Sequence, residues 1–420
     1  MKKRAIVTIS ALNYAARAEV VCRTFKKFHP DIPFHFFVMD DPDGSRSKKV
    51  LKTEAKTFFM NDLIRFHEKK PGKVPILTML FPYDVMEAST AIKPLILLQM
   101  FEEYGYDEVI FIDPDTMVTS SLESVWDAFA EGDVLLTPHI VTFGDEEEAN
   151  LGERAVLMSG VFNLGFIGVA NKPKVKEFLN WWARRLVKYC LKDPGRGYFT
   201  DQRWVDPAFG AMSRVVVLRD LGLNVAHWNI HERKVWRDKK GVYRVGKDVL
   251  KFFHFSGYKP SAPENLSGYR PDLKLKELGA VKSLASEYHK LLAKFGNSKI
   301  EKQDYGYDSF SNGVEIPAII KGWAKAAVEL ERFPNPYEVR DRNSFFNWLL
   351  RSSGTELCPL AAIVKQVRVD LQRSFPHNDA RSNAAYMNWL LERGWKDHDF
   401  DPKIAMLLKK KMPVYQGLLE

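Results

Sequence analysis

The stretch VIFIDPDTMV, residues 109–118, decides how the first part of the chain is read. Val109 to Ile112 are four consecutive apolar residues, which predict a buried strand, and the strand runs straight into Asp113 and Asp115 with a proline between them. Two like charges cannot be buried unpaired without a heavy desolvation cost. Either something positive sits beside them, or the pair faces solvent in a turn. Carboxylates spaced D-x-D at a strand end are hard oxygen ligands of the kind that suits Mg2+ or Mn2+ next to a diphosphate.

Working outward, short apolar segments alternate with helical patterns to about residue 260. AIVTI (5–9) reads as a first strand, and at 17–28 Val20, Val21, Thr24 and Phe25 share a helical face. FHFFVMD (34–40) reads as a second strand ending in Asp40. The pattern predicts a helix over 89–105, capped by Ser89 or Thr90, with Pro94 near its first turn and Gly105 as its stop. EVIFID (108–113) is the next strand, then a helix over 122–132 and a strand over 133–138. This order predicts an α/β fold with a parallel sheet and right-handed crossovers. Ligands of such sheets gather at the carboxyl ends of the strands, where Asp113 and Asp115 lie.

From residue 261 the texture becomes mostly helical and rich in Lys, Leu and Ala, giving an α/β domain over 1–260 and a helical extension over 261–420. One echo, SFFNWLL (344–350) and AYMNWLL (385–391), reads as two amphipathic helices anchored by Trp348 and Trp389.

The chain has 420 residues and a formal charge of +9, with Lys and Arg scattered rather than clustered. A weak attraction to an anionic membrane surface fits that charge. No RNP box, zinc finger or homeodomain-type helix is present, so nucleic acid is not an expected partner. No stretch approaches the roughly 20 apolar residues of a membrane span, and the basic start MKKRAIVTIS reads as a strand rather than a leader. Cys22, Cys190 and Cys358 are widely separated, which fits a reducing, cytoplasmic setting and no zinc site.

Three further segments carry polar residues in otherwise apolar surroundings: GVFNLGFIGVA (160–170) with Asn163, YFTDQRWVD (198–206) with Asp201 and Gln202, and KFFHFSGYKP (251–260) with His254. A phosphatase that forms an aspartyl-phosphate also begins with a hydrophobic strand and D-x-D, Asp113 then being the nucleophile. Met117 stands where such enzymes carry Thr or Val, and no downstream Gly-Asp-x-x-x-Asp strand is evident.

With NYAA near the start, these pieces resemble the retaining family-8 glycosyltransferases and related bacterial surface-polysaccharide enzymes of the GT-A fold. The resemblance spans roughly residues 5–260 in chain order: first strand, D-x-D, N-x-G, D-Q and H-x-x-G. It implies that Asn13 and Tyr14 contact the nucleotide, the tyrosine stacking on the base, with Asp40 and Lys93 also on the donor side. It implies Asp113, Asp115 and His254 as metal ligands, Asp113 lying near the ribose as well. Asn163, Asp201 and Gln202 match the positions that line the donor sugar, Gln202 toward the anomeric carbon. Lys259 would clamp the diphosphate, although HFSGYKP is one residue shorter than the usual loop. Lys93 replaces the more usual Arg, and Trp228, in a segment without a firm counterpart, is a candidate sugar platform. The implied activity is Mn2+- or Mg2+-dependent transfer of a sugar, with retention, from a nucleotide-sugar donor (UDP-linked in the family) to a glycan or lipid-linked glycan acceptor. A nucleotide-sugar binding protein without turnover is the third reading.

Overall fold

A computed structural model describes residues 2–70, 72–142, 146–352, 354–398 and 400–410, apart from the side chains of 146–152. The chain forms two compact units, Met1–Val74 with Val85–Tyr305, and Pro75–Asp84 with Gly306–Glu420.

The first unit is built on a seven-stranded sheet. Its strands are β1 (Arg4–Ser10), β2 (Phe34–Val38), β3 (Lys56–Phe59), β4 (Glu108–Ile112), β6 (Val134–Pro138), β7 (Phe162–Ala170) and β10 (Val215–Val217). Smaller pieces complete the set: β5 (Thr116–Val118), β8 (Lys192–Asp193), β9 (Tyr198–Phe199), β11 (Val235–Arg237), β12 (Tyr243–Val245), β13 (Asp248–Val249), β14 (Phe252–His254), β15 (Asn265–Ser267) and β16 (Arg270–Lys274). The large sheet runs β10-β6-β7-β4-β1-β2-β3. Its pairings are parallel except for those of β7 with β4 and β6, so β7 alone is reversed. This is the α/β class expected from the sequence, with a sheet in which parallel pairings dominate.

The buried stretch that opened the reading is β4, and every one of its residues is buried. A strand covered on both faces needs a continuous apolar run, which is why Val109–Ile112 shows no alternation. Helix Ala15–Lys26 buries Val20, Val21, Thr24 and Phe25, as its periodicity predicts. The single helix expected over 89–105 is instead two, Val85–Ala91 and Lys93–Glu102. Pro94 has no N–H to donate and is tolerated only in a first turn, so the second helix starts at Lys93. Ser89 and Thr90 lie inside the first helix, their hydroxyls donating to the carbonyls of Val85 and Met86. Gly105 follows with φ +67°, as a stop should.

The change of texture at residue 261 falls inside the first unit. Helix Ala280–Lys294 buries Val281, Leu284, Ala285, Tyr288 and Leu292 in one cluster with Leu12, Val20 and Phe253. Tyr288 stacks on Phe255, with ring centroids 4.0 Å apart and planes 5° apart.

Among its described residues the second unit is helical, including Ala318–Ala324, Phe345–Leu349, Pro359–Val367 and Ala380–Trp389. Both echoed tryptophans are half-buried packing residues. Trp348 stacks with Phe345 and Trp323, and Trp389 with Tyr386. No helix among the described residues is long and apolar enough to cross a membrane.

Candidate active site

Asp113 directly follows β4, its N–H donating to the Gly165 carbonyl of the reversed neighbour β7 at 2.8 Å. After Pro114 the chain turns into β5, which pairs antiparallel with β14 and sets His254 opposite Thr116. That pairing carries His254 back from far along the chain. Its Nε2 lies 3.0 Å from Asp115 Oδ1 and 3.7 Å from Asp113 Oδ2. Ligand atoms of the three residues all lie within 4.8 Å of one another. Two carboxylates and an imidazole on one point fit a hard or borderline divalent ion such as Mg2+ or Mn2+.

Electrostatics sharpen that fit. Burial pushes the Asp113 carboxyl up to about 6, with Lys93 and His254 acting against the rise. Burial also disfavours ionised Asp115, yet His254 beside it holds its carboxyl below the ordinary range. For His254 burial works against the imidazolium, but Asp115 and then Asp113 outweigh it and the pKa is raised. The site therefore draws positive charge toward the two carboxylates.

Gly165 explains the N-x-G pattern. A Cβ there would stand 2.5 Å from His254 Cε1 and 2.7 Å from Asn163 Oδ1, so only glycine leaves room for the imidazole. Gly257, the glycine of H-x-x-G, has φ +71°, and a Cβ there would meet Ser267 Oγ and the Tyr269 ring at 2.7 Å.

A cavity of about 590 Å3 opens here, and nine of the expected residues line it: Asn13, Tyr14, Lys93, Asp113, Asp115, Asn163, Asp201, Gln202 and His254. Tyr14 is 39% exposed. The guanidinium of buried Arg17 sits 4.6 Å from its ring centroid and donates to the Tyr258 carbonyl at 2.9 Å. Lys93 and Asp201, both only 2% exposed, pair with each other at 2.7 Å, and Lys93 also donates to the Leu164 carbonyl at 2.8 Å. Their charges cancel within the wall. Gln202 accepts from Leu164 N–H at 3.1 Å and from Asn163 at 3.3 Å, and donates to the Ser159 carbonyl at 2.6 Å. Thr200, just before Asp201, holds φ +47°, a strained conformation for a β-branched residue of the kind that clusters at working sites.

Two expected donor contacts are not on the cavity wall. Asp40 is buried and accepts the Leu12 N–H at 2.7 Å, a bond that ties down the turn leading to Asn13 and Tyr14. Lys259 is exposed, runs beside Gly268 and is not among the residues that line the cavity. Trp228 does line the cavity, but its ring packs edge-on with His139, His227 and His254 at 5.6, 5.1 and 5.2 Å. The indole is half-buried, so it both packs around the histidine and borders the cavity.

Sequence reasoning missed Asn224, His139 and Arg17. Asn224 bonds His254, Asn163 and Thr137. Its φ of +52° marks it out, since asparagine tolerates the left-handed region better than most residues. His139 bonds Asn163 through Nε2 at 3.3 Å, and burial lowers its pKa to about 4, which keeps it neutral.

No protein-family model matches the chain. Two Bacillus subtilis (strain 168) proteins are similar in sequence. The uncharacterized protein YfnF is 26% identical over 180 residues, 42% of this chain and 58% of its own. The uncharacterized protein YfnD is 33% identical over 102 residues, 24% of this chain and 32% of its own. The matched stretches thus span less than two thirds of either relative. Among solved structures, the galactosyltransferase LgtC in complex with donor and acceptor sugar analogs is 17% identical with a TM-score of 0.40, over 69% of this chain and 95% of that one. The bifunctional glycosyltransferase WbbM is 18% identical with a TM-score of 0.42, over 72% of this chain and 51% of that one. At such identities the activity of this chain has to be argued from its own site.

Proposed function

We propose that the protein is a metal-dependent glycosyltransferase that moves a sugar from a nucleotide-diphosphate donor, UDP-linked, to a glycan or lipid-linked glycan acceptor with retention of configuration. One observation carries the reading: Asp113, Asp115 and His254 converge at the carboxyl end of a sheet strand, in a cavity of about 590 Å3 that also holds Tyr14 and Asn13. Asp113, Asp115 and His254 would hold the ion, which would supply positive charge to neutralise a departing diphosphate. Tyr14 offers a ring face to the base while Arg17 braces its position. The Lys93–Asp201 pair gives the donor-sugar end of the cavity a fixed dipole without free net charge.

Retention is supported by the acids that are and are not available. Among the described residues lining the cavity the carboxylates are Asp113, Asp115 and Asp201. The first two face the metal position and the third is neutralised by Lys93. Among these three described carboxylates none remains as the base that an inverting enzyme needs on the opposite face of the sugar. The phosphatase reading needs further acidic ligands for its Mg2+. Among the described residues Asp113, Asp115 and His254 form the only metal-competent group of three or more, and His254 is pressed against Asp115.

Calorimetry of UDP binding with and without Mn2+ tests the reading. Tight binding only with the metal, lost in Asp115→Ala and reduced less in His254→Ala, is the expected result. Affinity indifferent to both metal and Asp115 would remove the basis for the proposal.

A further inference from the structure

The polar residues around His254 form a chain whose hydrogen-bond direction can be followed from one unambiguous end. Gly165 N–H donates to Asn163 Oδ1 at 3.0 Å. A backbone N–H can only donate, so that Asn163 atom is the oxygen. Asn224 Nδ2 stands 3.0 Å from the same oxygen and 2.9 Å from Thr137 Oγ1. With the nitrogen of Asn224 placed there, its oxygen is the atom 3.2 Å from His254 Nδ1. An oxygen without hydrogen can only accept, so Nδ1 carries the proton. Nε2, the nitrogen that faces Asp113 and Asp115, is then the one whose lone pair a metal would take.

We infer that Asn224 and Asn163 are positioning residues: a two-amide relay, polarised by the Gly165 N–H, that fixes the His254 tautomer so that Nε2 is always the metal ligand. The inference rests on the metal reading of the site given above. It assigns Asn163 a task other than touching the donor sugar, since its oxygen is already shared by Gly165 and Asn224 and its nitrogen faces Gln202 and His139. It also accounts for the unusual backbone of Asn224. The left-handed φ of +52° places a short amide under the imidazole from an irregular segment, where a longer or branched residue is strained. Partners of this kind orient metal-bound histidines in general, and their loss costs about 10- to 100-fold in metal affinity.

The variant Asn224→Gly deletes the amide and relaxes the backbone at once, because glycine accepts positive φ freely. Mn2+ binding to the full chain is measured by calorimetry for wild type, N224G, Asn163→Ala and the double variant. The relay predicts that each single change lowers Mn2+ affinity about 10- to 100-fold. It also predicts that the double variant loses little more than either single, since both cut one chain. In histidine-labelled wild-type protein with Mg2+ bound, nitrogen NMR shifts should put the His254 proton on Nδ1, a readout that packing alone does not set. Equal Mn2+ affinity in wild type and N224G, or a His254 proton on Nε2, overturns the relay. Absence of Mn2+ binding by wild type overturns the metal reading beneath it, and the two failures are told apart by the wild-type titration.

Discussion

Replacing Lys93 with methionine tests the electrostatics of the cavity wall while leaving Asp113, Asp115 and His254 in place, although it also removes a charge that favours ionised Asp113. The side chain keeps its approximate length and its packing against Phe111, whose ring centroid lies 4.2 Å from the ammonium. Lost are the 2.7 Å ion pair with Asp201 and the 2.8 Å hydrogen bond to the Leu164 carbonyl. Both partners of the ion pair are 2% exposed, so Asp201 is left with no water to replace its counter-ion. Removing one member of a buried pair costs about 3–5 kcal/mol. Asp201 has one escape, which is to take a proton. Burial already holds its pKa above the usual carboxylate value against the pull of Lys93, and without Lys93 it rises further. A folded-state pKa above the unfolded one gives stability that is complete at low pH and lost as pH rises through the folded value. The K93M penalty should therefore be small near pH 5 and reach about 3–5 kcal/mol by pH 8. Urea unfolding of wild type and K93M at both pH values measures it. Adding Asp201→Asn to K93M should recover much of the loss at pH 8, because a neutral amide needs no counter-ion. A K93M penalty below about 1 kcal/mol at pH 8, or one that does not change with pH, refutes the reasoning.

Gly165→Ala puts a Cβ 2.5 Å from His254 Cε1 and should lower Mn2+ affinity about 10-fold or more, while near-native affinity would show that the imidazole has room to move. Tyr14→Ala should weaken uridine and UDP alike by about 1–3 kcal/mol if the ring stacks on the base; a loss seen with UDP and absent with uridine contradicts stacking. Burial lowers the pKa of His35, His67, His139 and His227 to about 4, so the unfolded chain binds more protons than the native one below 6.5. The part of the stability these four histidines carry should accordingly be complete above pH 6.5 and be lost as pH drops toward 4, and a melting temperature that stays level from pH 7.5 to 5 would contradict it.

The fold was legible where burial imposes a period or a run. β4 and helix Ala15–Lys26 are set by local apolar patterns, and the structure keeps them within a residue or two of where those patterns put them. The α/β alternation likewise predicted the parallel order, though not the reversal of β7, because a buried strand carries no mark of its direction. Pro94 is expected only near a first turn, but the helix start it forces at Lys93 does not follow from the apolar pattern alone. In the site, residues at strand ends such as Asp113 and His254 were visible, since a charge or imidazole after an apolar run stands out. Pairings across long separations were not. Nothing local says that Lys93 and Asp201 neutralise each other, or that Asp40 accepts the Leu12 N–H. Asn224 was missed for the same reason: it lies in an irregular stretch where no periodicity applies, and its importance comes from three partners far away in sequence.

The most direct test of the central claim is donor turnover. UDP-linked hexoses are incubated with the full chain and Mn2+, and release of UDP is followed for wild type and for Asp115→Asn, a near-isosteric change that removes one metal-binding charge. Slow Mn2+-dependent release of UDP from one of the donors by wild type, lost on chelation and absent in D115N, is the predicted result. Release that continues after chelation, or that D115N performs as well as wild type, would contradict the assignment of Asp113, Asp115 and His254 as the metal seat of a glycosyltransferase.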